Sequence, residues 1–277
     1  MRRIRIAGLC LVVVCAISAL AASTASATAP EYGQCLKKAV KSLPGYSDSK
    51  CTKEATEAKK GTYEWVPGAK SGENKFTTKG GAATLLTTKG ETVTCTSEAS
   101  TGEYLVGGNN KEETTKVSFA GCKSNGLTCT TAGKGAGELE TNELIGVIGY
   151  EKEPVGITAR KTALLLHPGP TAPESHFINF KCTSALTIEV RGKGGSEDAG
   201  ILVPIKNDVM ASKEILKYKN TKGVQKPVKW IPPLGGFPAE TYLESNFQGA
   251  GFGQSGQSVE STVENVGGVK YELNGFV

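Results

Sequence analysis

Histidine is nearly missing from this chain: His167 and His176 are the two present in 277 residues, so imidazole general-base chemistry has at most two candidates. One precedes a Pro-Gly-Pro loop and the other opens an extended segment, both read as ordinary surface positions, and no Gly-x-Ser-x-Gly elbow occurs for a serine nucleophile. Aromatic residues make up 6% of the chain, and beyond residue 70 no long window repeats apolar residues at helical spacing, which excludes a helical bundle. Blocks of like charge are missing too. Lysines stand singly among Thr, Ser, Glu and Gly, leaving no continuous footprint for a phosphate backbone, so no nucleic-acid partner is expected. No second long apolar run follows the first 27 residues, so no membrane span is expected after them.

Those first residues, 1–27, read as a signal peptide. Arg2, Arg3 and Arg5 form a basic start, Ala7 to Ala22 is apolar, and Ala25-Ser26-Ala27 is the small-x-small pattern of a cleavage site. Neither Cys10 nor Cys15 has the setting of a lipid-acceptor cysteine. Removal of the leader leaves 29 basic against 27 acidic residues, a net charge of +2. The expected location is outside the cell, released or surface-associated, with an unidentified envelope or extracellular partner, a glycan being one class.

What remains is rich in glycine and in alternating apolar and polar residues. Val93 and Cys95 share one face; Thr115, Val117 and Phe119 another; then Ile178, Phe180 and Cys182; Leu186, Ile188 and Val190; Ile201, Val203 and Ile205. Leu144 to Tyr150 is apolar on both parities, as expected of a strand covered on both faces, with Ile157, Ala159 and Leu164 to Leu166 as neighbours. Thr-Thr-Lys-Gly recurs at 77–80 and 87–90, the spacing of consecutive strands with glycine turns. The expected fold is all-β, an antiparallel sandwich or closed barrel of about ten to twelve strands spanning residues 71–277. Residues 28–70 are expected to form a lead with a short helix over Cys35 to Val40 and Trp65 capping one end of the β core. Pro204 marks its strand as an edge or a bulge.

Six of the eight cysteines, Cys35, Cys51, Cys95, Cys122, Cys129 and Cys182, survive removal of the leader, an even number that reads as three disulfides in an exported chain. Spacing alone does not select the connectivity. The preferred pairing is Cys35 with Cys51, Cys122 with Cys129 and Cys95 with Cys182, the first two closing local loops. Cys122 and Cys129 flank Asn125-Gly126, the strongest hairpin signal in the chain. A zinc site drawn from this pair is disfavoured by the six-residue gap, and Glu197-Asp198 lacks the alternating ligands of a calcium loop. No cofactor or metal site is assigned.

The stretch 227–256 is irregular and aromatic. Trp230, Phe237, Tyr242, Phe247 and Phe252 are candidates for stacking on sugar rings, against the alternative that they plug an end of the fold. Glu240 and Glu244, on one face of a strand, would suit paired-carboxylate glycoside hydrolysis, although such a pair is more often solvated.

The succession Tyr32-Gly33-Gln34-Cys35, Tyr63-Glu64-Trp65, Val93-Thr94-Cys95-Thr96-Ser97, Phe119-Ala120-Gly121-Cys122, Gly137-Glu138-Leu139, Phe180-Lys181-Cys182 and Ser245-Asn246-Phe247-Gln248-Gly249 resembles a multi-copy family of secreted actinobacterial proteins of unknown function. The resemblance covers most of the chain after the leader. It implies export and a shared architecture and assigns no functional residue. A non-enzymatic exported protein with an interaction or structural role is the reading favoured, with a carbohydrate-binding or polysaccharide-active protein as the alternative.

Overall fold

A computed structural model describes residues 30–106, 111–152, 161–183, 186–196, 198–206, 209–233 and 238–274. Residues 1–27, expected from the sequence to be a signal peptide, and Ile157, Ala159, Glu197 and Phe237 lie outside the described residues. The chain is all-β, and its described strands form one closed ring, a second set that shares strands with it, and two small sheets of three and two strands.

β1 (Glu31–Ser42) and β2 (Gly61–Pro67) come first. β3 (Lys75–Gly80) bends into β4 (Ala83–Thr87), β5 (Thr92–Cys95) into β6 (Ser97–Tyr104), and β7 (Glu112–Ala120) into β8 (Lys123–Ser124). β9 (Leu127–Thr130), β10 (Leu139–Glu140), β11 (Leu144–Lys152), β12 (Lys161–Pro168), β13 (His176–Cys182), β14 (Leu186–Gly192) and β15 (Ile201–Pro204) follow. The last third holds β16 (Lys213–Thr221), β17 (Val224–Lys226), β18 (Lys229–Trp230), β19 (Ala239–Glu240), β20 (Leu243–Phe247), β21 (Phe252–Asn265) and β22 (Glu272–Asn274). The strands outnumber the expected ten to twelve because three long runs divide at bends and several ladders are only two residues long.

One ring is closed. Antiparallel ladders run β4–β5–β8–β9–β13–β14–β20–β21 and back to β4, which removes every free edge. A second set runs β16–β21–β3–β6–β7–β11–β12–β15. β21 belongs to both, with Ser255 to Ser258 on β4 and Ser261 to Asn265 on β3. The two sets therefore share four nearly continuous strands and enclose one core. Closure resolves the choice between sandwich and barrel in favour of the barrel. Among the described residues β15 pairs with β12 alone, leaving a seam toward β16, and Pro204, which lacks an N–H for a second ladder, lies on that edge strand.

Residues 31–42 form a strand, not the expected helix. β1 is laddered on both sides, Cys35 facing Trp65 on β2 and Tyr32 facing Leu273 on β22. A helix of six residues is marginal in water, and the apolar residues that suggested it, Leu36 and Val40, are exposed. Residues 52–60 form turns and isolated bridges. Trp65 packs on Gly33, where a β-carbon would fall inside its ring at 2.0 Å; Tyr32, one residue before, enters the barrel core instead.

Both faces of the β11–β12–β15 wall are covered, as the two-sided apolar pattern requires. Ile148, Leu164, Leu166, Ile201 and Val203 face the barrel, while Ala163, Leu165 and Leu202 pack outward under Trp230. Trp230 lies against Gly149, where an added β-carbon would stand 2.3 Å from the indole and 2.6 Å from the Ile231 carbonyl.

The Asn125-Gly126 turn is present, both residues at positive φ (49° and 81°) as a two-residue hairpin of type I′ demands. The preferred disulfide pairing around it is only partly right. Cys35 is bonded to Cys51, but Cys95 is bonded to Cys122 and Cys129 to Cys182. The four cysteines stand side by side, Cys95 ending β5, Cys122 directly before β8, Cys129 in β9 and Cys182 ending β13. Cys129 donates its N–H to the Cys122 carbonyl at 2.9 Å, which makes these two a hydrogen-bonded pair with side chains held further apart. The bonded pairs have Cα separations of 4.0 and 3.8 Å, the close approach of non-hydrogen-bonded positions. Alternation along the row thus selects the partners. Non-reducing peptide mapping should recover the 95–122 and 129–182 links; a peptide joining 122 to 129 would contradict the register. Replacing Cys129 and Cys182 together by serine should cost about 4 kcal/mol in denaturant unfolding, on loop entropy alone.

A carboxylate-bearing barrel lumen as candidate functional site

Period-2 alternation decides which side chains enter the barrel. From β3 come Phe76 and Thr78, from β6 Glu98, Ser100 and Tyr104, from β7 Glu113, Thr115, Val117 and Phe119, from β16 Glu214, Leu216 and Tyr218, and from β21 Val259, Ser261 and Val263. They surround a cavity of about 140 Å³ that is apolar over most of its wall. A second cavity of about 220 Å³ adjoins it, sharing Tyr32, Tyr104, Glu214 and Val263 and opening past Lys206, Lys213 and Glu272 beside the β15–β16 seam.

Three glutamates reach this interior. Glu113 and Glu98 are each 6% exposed, and each stands opposite a glycine in the neighbouring strand: Glu113 faces Gly146, Glu98 faces Gly80. A β-carbon at Gly146 would lie 2.5 Å from Glu113 Cγ, and one at Gly80 would lie 2.4 Å from Glu98 Oε2. The absent side chains are what make room for the carboxylates.

Partners differ among the three. Glu113 Oε2 accepts a hydrogen bond from Tyr32 Oη at 2.8 Å. Glu98 accepts from Thr78 Oγ1 at 2.9 Å and from Ser261 Oγ, and Thr78 is in turn 2.7 Å from Ser100 Oγ. Glu214 Oε1 accepts from the Lys206 backbone N–H at 2.8 Å. Among the described residues no lysine, arginine or histidine lines the main cavity.

The electrostatics follow from burial without a countercharge. Desolvation pushes the Glu113 carboxyl from 4.5 up to about 7; the Tyr32 hydroxyl opposes this and the charge of Glu214 adds to it. Burial also raises Glu98, against the Ser261 and Thr78 hydroxyls, and raises Glu214, against the N–H and charge of Lys206. Tyr218 is held well above the ordinary phenol range by burial and by the charges of Glu113 and Glu98, so both carboxylates lie within electrostatic reach of its ring. Tyr104, likewise raised, feels Glu113 and Glu214. Its hydroxyl donates to Asn265 Oδ1 at 2.9 Å, and its ring packs against those of Tyr32, Phe76 and Tyr271 at centroid distances of 4.5–5.0 Å.

The residues singled out in the sequence lie elsewhere. Trp230 (7% exposed) and Phe247 (6%) are buried and offer no free face to a sugar. Phe252 lies under the Arg191 guanidinium, 3.6 Å from its ring centre, and Tyr242 lies 5.2 Å from Lys193 Nζ. Glu244 accepts from Arg191 Nε and Nη2, both at 3.1 Å, and from the Gly194 N–H; Glu240 pairs with Lys193 at 3.2 Å. His176 is buried at the start of β13, not on the surface, with its ring 6.0 Å from that of Phe252. The buried glutamates did carry a signal: Glu113 has the parity of Thr115, Val117 and Phe119, and Glu98 that of Ser100 and Tyr104.

Comparison with protein-family models, with curated proteins and with solved structures finds no match for this chain. Among the described residues no helix is long and apolar enough to cross a membrane.

A carboxyl whose folded value exceeds its unfolded one binds more protons in the folded state, so its contribution falls as pH rises between the two. For Glu113 that window is 4.5 to about 7, and its ionisation should cost about 3 kcal/mol of stability above the window. Denaturant unfolding from pH 4.5 to 8 should show this loss, and Glu113→Gln, keeping an acceptor for Tyr32, should flatten the profile and be the more stable protein at pH 8. A profile unchanged by the substitution would rule out this origin.

Proposed function

We propose that this is an exported, disulfide-braced barrel that works by binding and not by catalysis, holding one small, largely apolar molecule in its lumen. The observation that carries this reading is the pair of adjoining cavities, 140 and 220 Å³, together near the lower end of the roughly 300–1,000 Å³ of ligand sites. Eight-stranded barrels have interiors just wide enough to be filled by side chains or to hold one small ligand. Here short polar residues on the inward parity of β3, β6 and β21, Thr78, Ser100 and Ser261, line space that bulkier apolar residues would close. Three disulfides support an oxidising compartment, in keeping with the basic–apolar–small leader pattern. Oxidation of all six cysteines also removes the thiol as a nucleophile. Trp230 and Phe247 are turned into the structure, and the carboxylates of Glu240 and Glu244 are each held by a cation, which weighs against a sugar platform in that region.

The test is fluorescence of the environment-sensitive dye N-phenyl-1-naphthylamine with the chain lacking residues 1–27. Native protein should bind it saturably with one site. Leu216→Trp, which adds bulk at an inward position of β16, should reduce affinity by about tenfold or more while costing no more than about 1–3 kcal/mol of stability. Dye binding untouched by that substitution would place the dye on the surface and defeat the lumen reading.

A further inference from the structure

One end of the lumen carries a connected polar group. On the β6–β7 ladder Glu98 stands opposite Phe119, while Tyr104, which borders the outer cavity as well, stands at the other end. Register places Glu98, Gly80 and Ser261 in one row across β6, β3 and β21, and Ser100 beside Thr78 in the next. The side chains of Glu98, Ser261, Ser100 and Thr78 are buried and line the main cavity. Gly80 makes the arrangement possible, since a β-carbon there would stand 2.4 Å from Glu98 Oε2 and 2.8 Å from Ser261 Oγ. Around the group the wall is hydrocarbon, with Phe119 on β7 and Val259 two residues from Ser261 on β21.

The protons in this group are unevenly shared. A hydroxyl has one proton to give. Thr78 gives its own to Glu98 Oε1 at 2.9 Å, and Ser261 gives its own to Oε2. The 2.7 Å contact between Thr78 Oγ1 and Ser100 Oγ must then take its proton from Ser100. All three hydroxyl protons are spent. The carboxylate, able to accept about four hydrogen bonds, takes these two from side chains, and Ser100 Oγ keeps its lone pairs. The cluster thus offers the cavity acceptors and no donor.

We propose that the lumen selects apolar alcohols, the ligand hydroxyl donating its proton to the Glu98 carboxylate and the hydrocarbon body extending along β6 toward Tyr104 and the outer cavity. The assignment rests on the lumen-binding reading above and adds to it the hydrogen-bonding sense of the ligand's polar group. A hydrogen bond to a carboxylate is charge-assisted and stronger than one between neutral groups. Six residues separate Glu98 from Tyr104 on β6, about 20 Å of strand for a linear body to follow. A ketone or ether of the same size brings lone pairs alone, so its oxygen would face the carboxylate unpaired. Sites built for one hydrogen-bonding sense reject the analogue that lacks it.

Three probes of equal size, 1-octanol, 2-octanone and 1-methoxyheptane, differ in whether the oxygen carries a proton. Each is titrated at pH 8 by displacement of N-phenyl-1-naphthylamine and by calorimetry, with the chain lacking residues 1–27. Octanol should bind about tenfold tighter than the other two, the worth of one hydrogen bond to a charged acceptor. Glu98→Gln, which removes the charge and one acceptor oxygen, should bring the three to within a few fold. Tyr218→Phe, which removes a phenol lining the cavity, should leave the preference in place. Thermal melts report the integrity of both variants, and the comparison on the native chain stands even if Glu98→Gln folds poorly. Equal binding of octanol and octanone by the native chain, or a preference that survives Glu98→Gln, would overturn the alcohol assignment and leave lumen binding standing. Saturable dye binding that none of the three displaces would do the same, and absence of dye binding would defeat both readings.

Discussion

Register around the closed ring is the constraint on which the rest of the molecule depends. A barrel closes only if each strand meets the next at a fixed offset, and a slip of one residue would exchange every inward side chain for an outward one. The row Cys95, Cys122, Cys129, Cys182 crosses four successive strands of the ring, and its two covalent links pin the offset on both sides of the β8–β9 hairpin. The Asn125-Gly126 turn fixes the offset between them through its two positive φ angles. With that half of the ring set, β4 to β7 carry the same register into the second set of strands, because β5 runs into β6 and β8 continues β7.

From this register follows the composition of the lumen. The inward parity of β6 and β7 brings in Glu98 and Glu113, and ladder pairing places Gly80 and Gly146 opposite them. Burial raises the proton affinity of all three acids, the charge of Glu214 adding to it at Glu113, and this lowers the stability of the folded state at neutral and higher pH. Natural chains retain such a cost where the groups serve a purpose, and strained or undercompensated polar groups cluster at binding sites.

How much of this was legible in the residues depended on the range of the interaction. Alternation over Thr115-Val117-Phe119 and Leu186-Ile188-Val190 identified real strands and their faces, because period 2 is a property of a single strand. The Asn-Gly hairpin was legible for the same reason. The helix expected over Cys35 to Val40 failed because a six-residue pattern fits several periods, and ladders to β2 and to the distant β22 outweighed local preference. Trp230 and Phe247 looked like recognition residues in an irregular stretch; packing against Gly149 and the barrel core turned them inward. The glutamates do not stand out in the sequence because Glu is common on solvent faces of strands, even though Glu113 extends the inward parity of Thr115, Val117 and Phe119.

The sequence by itself determined the all-β class, the even set of cysteines beyond residue 27 and the position of the tight turn, since each is written in composition or in fewer than ten consecutive residues. Only the tertiary structure decided the disulfide partners, the closure of the barrel and the gathering of Glu98, Glu113 and Glu214 into one lumen. Those depend on which residues stand opposite each other across strands far apart in the chain, as Phe76 and Asn265 do. Such a pairing is set by ring closure and the packing of the whole core, which no local stretch of chain encodes.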